Sequence, residues 1–235
     1  MRKELENIKM IATDIDGTLL TNDYNLSDQN QMAITELVAD QVYFVMDTGG
    51  LPQAGYQILT EGGIGVTEYT KWFIGSNGSV IFNFITNESF VALQNNNVKT
   101  VEKTFKKLDF KRYEIVEINK VDYARFIVND FNVWYQLFLV IYDSVAVGND
   151  KNTGLINLLS IMKKYDKVNI KQEEVIYFGD NKNDIPVFKN EKIHCVAVNN
   201  AIDELLNLCN EVTSDNNKGI SDYLNKNVST QGLDD

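Results

Sequence analysis

Apolar positions along this chain follow two periods. Ile8 to Thr13 is a short, largely apolar run, the pattern of a strand buried on both faces. Ser27 stands where a helix N-cap belongs, Asp28 would fall in the first turn, and the spacing predicts a helix to about Ala39. Val42 to Met46 reads as a second strand, and Pro52 suits the first turn of a helix through about Leu59. Trp72 to Ile74 and Val80 to Phe84 are strand-like runs on either side of the turn Ser76-Asn77-Gly78. Alternation of strand and helix predicts a parallel sheet covered by helices.

Between Phe84 and Gly148 the pattern changes. Val98, Val101, Phe105 and Leu108 recur at helical spacing over 97–108. Tyr113 to Ile118 and Ala124 to Val128 are strand-like, 131–136 reads as a short helix, and Leu137–Tyr142 and Val145–Val147 read as strands. The order αββαββ predicts an α+β insert with an antiparallel sheet. Phe126, Phe131, Trp134, Tyr135 and Phe138 would form its core, with a few rings available to face a ligand. The parallel pattern returns with a helix from Lys151, whose face is Leu155, Ile156, Leu158, Leu159 and Met162. Strands at Val175–Phe178 and Ile193–Val198 and a helix at Ile202–Leu208 follow, and the polar tail from Val228 reads as frayed.

Composition narrows the chemistry. With 235 residues, 44% of them hydrophobic, the chain can bury a full core without disulfides. Thirty-three acidic against 22 basic residues give a net charge of −11, which disfavours nucleic acid as a partner. The longest apolar run, Phe131 to Tyr142, is too short to span a bilayer, and Met1-Arg2-Lys3-Glu4 lacks the apolar stretch of a signal peptide. A cytoplasmic protein is the expectation, and no protein partner can be inferred. Cys195 and Cys209 read as reduced thiols. The single histidine, His194, lies in an apolar run and reads as a strand residue, so any catalysis falls to carboxylates, hydroxyls and lysines.

In open parallel sheets, ligands sit beyond the carboxyl ends of the strands. Asp14, Asp16, Thr48, Asp180 and Asp184 all fall there, and Lys151 opens a helix beside them. Close carboxylates repel one another, and a bound dication removes that penalty. Oxygen ligands select Mg²⁺ or Ca²⁺, whereas a lysine suits a phosphate oxygen. Metal, lysine and a Thr-Gly turn together describe a phosphoryl site in which an aspartate can attack phosphorus.

Asp14-Ile15-Asp16-Gly17-Thr18-Leu19 resembles the DxDGT motif of the haloacid dehalogenase superfamily of phosphatases. Asp47-Thr48-Gly49 resembles its second motif, Lys151 stands in a segment similar to the lysine motif of the Cof-type branch, and Gly179-Asp180-Asn181-Lys182-Asn183-Asp184 matches GDxxND. Ser76-Asn77-Gly78 and Asn199-Asn200-Ala201 resemble minor signatures, the latter also reading as a structural turn. The resemblance implies a Rossmann-like α/β core at 1–83 and 149–235 and a small C2B-type cap at 84–148. It implies a Mg²⁺-dependent phosphatase that hydrolyses a small phosphomonoester, such as a sugar phosphate, through an aspartyl-phosphate. Asp14 would be nucleophile and metal ligand. Asp16 would be the acid–base group and lend its carbonyl to the metal. Thr48, Gly49 and Lys151 would hold phosphoryl oxygens, Asp180 would bind the metal directly and Asp184 through water, and Asn183 would orient the phosphate or the Asp184 shell. Gly50 stands where the branch often has arginine, and Asp47 where a small residue is common. Two alternatives are a phosphosugar mutase, which would need cap bases such as Lys99, Lys103 and Arg125 to grip a second phosphate, and a signalling receiver, which would lack the insert.

Overall fold

The computed structural model describes residues 7–94, 97–145 and 149–226. In chain order the first half forms β1 (Met10–Thr13), α1 (Asp28–Ala39), β2 (Tyr43–Asp47), α2 (Pro52–Glu61), β3 (Trp72–Gly75), β4 (Val80–Asn83) and β5 (Glu88–Ala92). Then come α3 (Val98–Lys107), β6 (Tyr113–Ile118), β7 (Val121–Ile127) and α4 (Phe131–Ile141). The chain continues with α5 (Lys151–Ile161), β8 (Val175–Gly179), α6 (Ile185–Phe188), β9 (His194–Val198), α7 (Asp203–Leu206), β10 (Glu211–Thr213) and α8 (Gly219–Lys226).

The ten strands among the described residues join one sheet in the order β10-β9-β8-β1-β2-β3-β4-β5-β7-β6. The half from β10 to β3 is parallel, as the alternating pattern predicts. β1, β2 and β8 are buried at every position, which is why they read as unbroken apolar runs. One face packs under α1, α2, α3, α4 and α8 through residues such as Ile34, Leu59, Phe105, Trp134 and Leu224. The other packs under α5, α6 and α7 through Leu155, Leu158, Val187 and Leu205. The core is therefore a Rossmann-like α/β layer structure.

Local signals set the boundaries. Ser27 Oγ accepts from the Asn30 amide and starts α1. Ser76, Asn77 and Gly78 all have left-handed backbone, with φ of 50°, 49° and 88°, and they reverse the chain between β3 and β4. The strand expected at Val80–Phe84 therefore forms as β4 but runs antiparallel to β3. β5, absent from the sequence reading, extends this hairpin, and β7 and β6 complete the antiparallel half.

The insert departs from αββαββ. The segment Leu137–Tyr142, expected as a strand, continues α4 to Ile141 and ends in a 3₁₀ turn at Tyr142–Ser144. Asp130 caps the helix by accepting from the Asn132 and Val133 amides. Trp134, Leu137, Phe138 and Ile141 then bury one helical stripe, while Leu139 and Val140 stay exposed. A run that is apolar on all sides conceals which period buries it. Of the strand expected at Val145–Val147, Val145 makes a single bridge to Leu93, and 146–147 lie outside the described residues. The tail from Val228 lies outside them too. Among the described residues, no helix is long and apolar enough to cross a membrane. Cys195 and Cys209 are free thiols, and His194 is the first residue of β9.

Candidate active site

The carboxyl ends of β1, β2 and β8 bring the acidic residues together. Asp14 follows β1 directly, and Asp180 follows β8. Lys151 is the first residue of α5, placed by Asp150, whose side chain caps the helix through the Thr153 amide. Its Nζ is fully buried and donates to Asp14 Oδ1 and, at 2.6 Å, to Asp184 Oδ1. Ligand oxygens of Asp14, Asp180 and Asp184 all lie within 4.8 Å of one another.

Asp184 is saturated with donors. Oδ1 also accepts from Tyr177 Oη at 2.9 Å, and Oδ2 accepts from the Asp180 and Asn181 amides at 3.0 Å each. It anchors the GDxxND loop and holds the lysine. Asp180 Oδ1 accepts from Thr18 Oγ1 at 2.9 Å, so the first and fourth motifs interlock. Gly17 makes this approach possible. Its φ is +83°, and a Cβ there would come within 2.4 Å of Asp180 Oδ2. Asn200 fastens the same turn from outside, donating to the Gly17 carbonyl at 2.8 Å.

Burial dominates the electrostatics. It lifts the Asp14 carboxyl to about 7; Lys151 opposes the rise, and Asp184 and Asp180 add to it. Burial also raises Asp180 above its ordinary value, against the hydrogen bond from Thr18. Desolvation works against the Lys151 charge, but Asp14 and Asp184 outweigh it and raise the ammonium above its usual range.

Asp16 stands apart from this cluster. It is exposed and lines a cleft of about 410 Å³ with Thr48, Gly50, Tyr24 and Glu61. Thr48 is buried, and its Oγ1 accepts from the Gly50 amide at 3.1 Å. The 48–50 loop is stitched to the β3–β4 turn, with the Asn77 amide donating to the Thr48 carbonyl and the Ser76 amide to that of Gly50. Asn183 is exposed, and its Nδ2 donates to Asn77 Oδ1 at 3.4 Å. A second cavity of about 600 Å³ runs from Gly49, Leu51 and Asn77 to Tyr135, Phe138, Leu139 and Tyr142 of the insert. Among the described residues, no basic residue lines either cavity. Arg125, a base that a mutase could use, is held by Glu88 and Glu114.

Sequence reasoning thus located every acidic group of the cluster and its lysine, and quoted Thr18 and Asn77 within motifs without giving them a role, but missed Tyr177. Thr18 lies inside the quoted motif, whereas Tyr177 reads only as a strand aromatic.

Asp47 is the anomaly. It is fully buried at the end of β2, and among the described residues neither carboxyl oxygen has a hydrogen-bond partner. Burial pushes it well above the ordinary carboxylate value, with Lys151 opposing and Asp184 adding. An acid raised on folding contributes its stability below its unfolded value, near 3.8, and loses it as pH rises. Asp47→Ala should therefore stabilise the protein by about 1–3 kcal/mol at pH 8, with a smaller gain at pH 5. Urea unfolding at both pH values measures this. A variant less stable at pH 8 would mean that the carboxylate has a favourable role in the fold.

The comparisons agree with this geometry. A family model for haloacid dehalogenase-like hydrolases matches residues 11–136 and 135–224. A phosphoglycolate phosphatase of Nitrosopumilus maritimus is 29% identical over 215 residues, covering 84% of this chain and 86% of that relative. A 5-amino-6-(5-phospho-D-ribitylamino)uracil phosphatase of Bacillus subtilis is 25% identical over 243 residues, covering 92% and 94%. The fold matches a haloacid dehalogenase-like hydrolase from Bacteroides thetaiotaomicron with a TM-score of 0.61 at 18% identity, covering 93% of this chain and 99% of that one. An acidic cluster pinned by one buried lysine at the carboxyl end of a parallel sheet, together with these matches, shows that the chain belongs to the haloacid dehalogenase-like hydrolases, as a phosphatase of the Cof type.

Proposed function

We propose that this phosphatase is Mg²⁺-dependent and hydrolyses a small phosphorylated metabolite in the cytoplasm through an aspartyl-phosphate on Asp14. The observation that carries the reading is Lys151 Nζ, buried between Asp14 and Asp184 with Asp180 beside them. The donor set fits Mg²⁺, since it offers hard carboxylate oxygens and no nitrogen or sulfur. Asp14 and Asp180 would hold the ion directly, with the Asp16 carbonyl; Asp184, whose oxygens already accept four hydrogen bonds, suits a role through water. When bound, the ion would neutralise phosphate charge and favour the ionised form of Asp14.

An Asp14 carboxylate oxygen attacks phosphorus, forming the acyl-phosphate bond as the ester P–O bond breaks. Asp16, exposed in the cleft, gives its proton to the departing alkoxide. It then takes a proton from water, which attacks phosphorus and releases Asp14 and inorganic phosphate. Thr48, the Gly49 amide and Lys151 hold the phosphoryl oxygens, and Asn183 acts with Asn77 at the rim. In this reading, residues 84–148 serve as the cap over a core made of 1–83 and 149–235. The two relatives are named for chemically different esters, which supports the broad class of small phosphomonoesters.

Acetyl phosphate, which needs no shaped leaving-group pocket, tests the reading. Phosphate release with Mg²⁺, together with an acid-stable, hydroxylamine-labile phosphoenzyme, is the expected result. Turnover without any such species would leave a direct attack by water instead.

A further inference from the structure

We infer that the cavity between the 49–51 loop and α4 is a leaving-group pocket for a phosphomonoester whose alcohol carries an uncharged planar ring, and that it discriminates against esters with a second anionic group. The inference rests on the phosphatase reading and adds the substrate class. The cavity begins at Gly49, whose amide would hold a phosphoryl oxygen, and at Asn77 on the rim, and its roughly 600 Å³ lies in the range of small-molecule sites. Its outer wall is Tyr135, Phe138 and Tyr142. Phe138 is fixed in place. It stacks on Trp134 with centroids 5.2 Å apart and planes 10° apart, and Trp134 Nε1 donates to Ser89 Oγ at 2.6 Å. Tyr142 meets the edge of Phe138 at 5.8 Å. Such a preset aromatic wall favours another ring, stacked or edge-on.

Charge points the same way. Among the described residues no acidic or basic side chain lines this cavity, whereas the cleft at Thr48 and Gly50 carries Asp16 and Glu61. With Gly50 at the loop there is no arginine to reach in. A carboxylate or second phosphate entering the pocket would lose its hydration and meet no counter-charge. Ser76, Asn77 and Asn149 on the inner wall can still serve hydroxyls.

The test is equilibrium binding of 1-naphthyl phosphate and of phosphoglycolate to Asp14→Asn protein with Mg²⁺, by calorimetry, beside hydrolysis of acetyl phosphate by the wild type. Naphthyl phosphate is expected to bind at least roughly tenfold more tightly. Adding Tyr135→Ala or Tyr142→Ala, both at exposed positions, should remove most of that preference. Leu139→Lys should shift it toward phosphoglycolate, and Val133→Ala, outside the cavity, should leave it unchanged. Equal affinity for the two esters, or a preference untouched by both tyrosine variants, would overturn the inference. If the preference and its dependence on the tyrosines hold while wild-type protein releases no phosphate, the pocket stands and the hydrolytic reading falls.

Discussion

Asp14→Asn is expected to lower turnover by on the order of 10⁴-fold or more while the protein keeps its fold. An amide cannot form the acyl-phosphate. It can still accept the Lys151 hydrogen bond through its oxygen, and Lys151 keeps Asp184 at 2.6 Å, so the buried ammonium is not abandoned. The substitution also removes one of three clustered carboxyls, relieving repulsion that partly offsets the lost ion pair. Circular dichroism melting should therefore show a folded protein with a transition close to that of the wild type. Steady-state phosphate release and acid-quenched labelling give the activity arm. A variant turning over within tenfold of wild type would remove Asp14 as nucleophile.

Chelation is expected to lower phosphate release by roughly 10³-fold or more, reversibly. The pH dependence makes this more specific. Without a cation, burial holds Asp14 near 7, far above the 3.8 of an unfolded aspartate. The folded state thus keeps a proton that the unfolded state gives up, and metal-free stability drains away as pH rises between those values. A dication binding the carboxylate competes with that proton. Its apparent affinity should rise with pH up to about 7 and then level off, and the Mg²⁺-induced increase in melting temperature should be larger at pH 8 than at pH 5. Thermal melts with Mg²⁺ or EDTA across this range measure both. A melting shift independent of pH would place the cation elsewhere.

The parallel core and its acidic ends were legible because strand, turn and carboxylate follow one another locally: Ile11-Ala12-Thr13-Asp14 states its strand and the first acid of the cluster in one stretch. Lys151 was legible as a helix-opening residue. Its place between Asp14 and Asp184 depends on tertiary packing that no local pattern carries. The antiparallel half was harder. Leu137 to Tyr142 is apolar on every face, so its period is hidden and only the Asp130 cap marks a helix. β5 was missed because Asn87-Glu88-Ser89 looks like a polar loop, while Glu88 is buried against Arg125, a partner 37 positions away. Asp47 violates ordinary burial preferences, and a sequence cannot show that its carboxyl is left without a partner.

One consequence lies in how the insert is fastened. β5, the first strand of the insert, continues the core sheet by pairing with β4 from Asn83–Glu88 to Val80–Val91, and β7 extends it from Glu88–Ile127 to Ala92–Tyr123. The opposite face of β6 and β7 rests on α5, where Asn157 donates to Tyr123 Oη at 2.7 Å and Asn119 donates to Asn157. A swing of the insert away from the core as a rigid body would have to break the β4–β5 main-chain hydrogen bonds and the Asn157–Tyr123 and Asn119–Asn157 contacts at once. In the proposed function, admission of a substrate would fall to rim side chains such as Tyr135 and Tyr142, which are exposed. Their rotamer changes run on picoseconds to nanoseconds, well ahead of the microsecond-to-millisecond swing of a hinged lid.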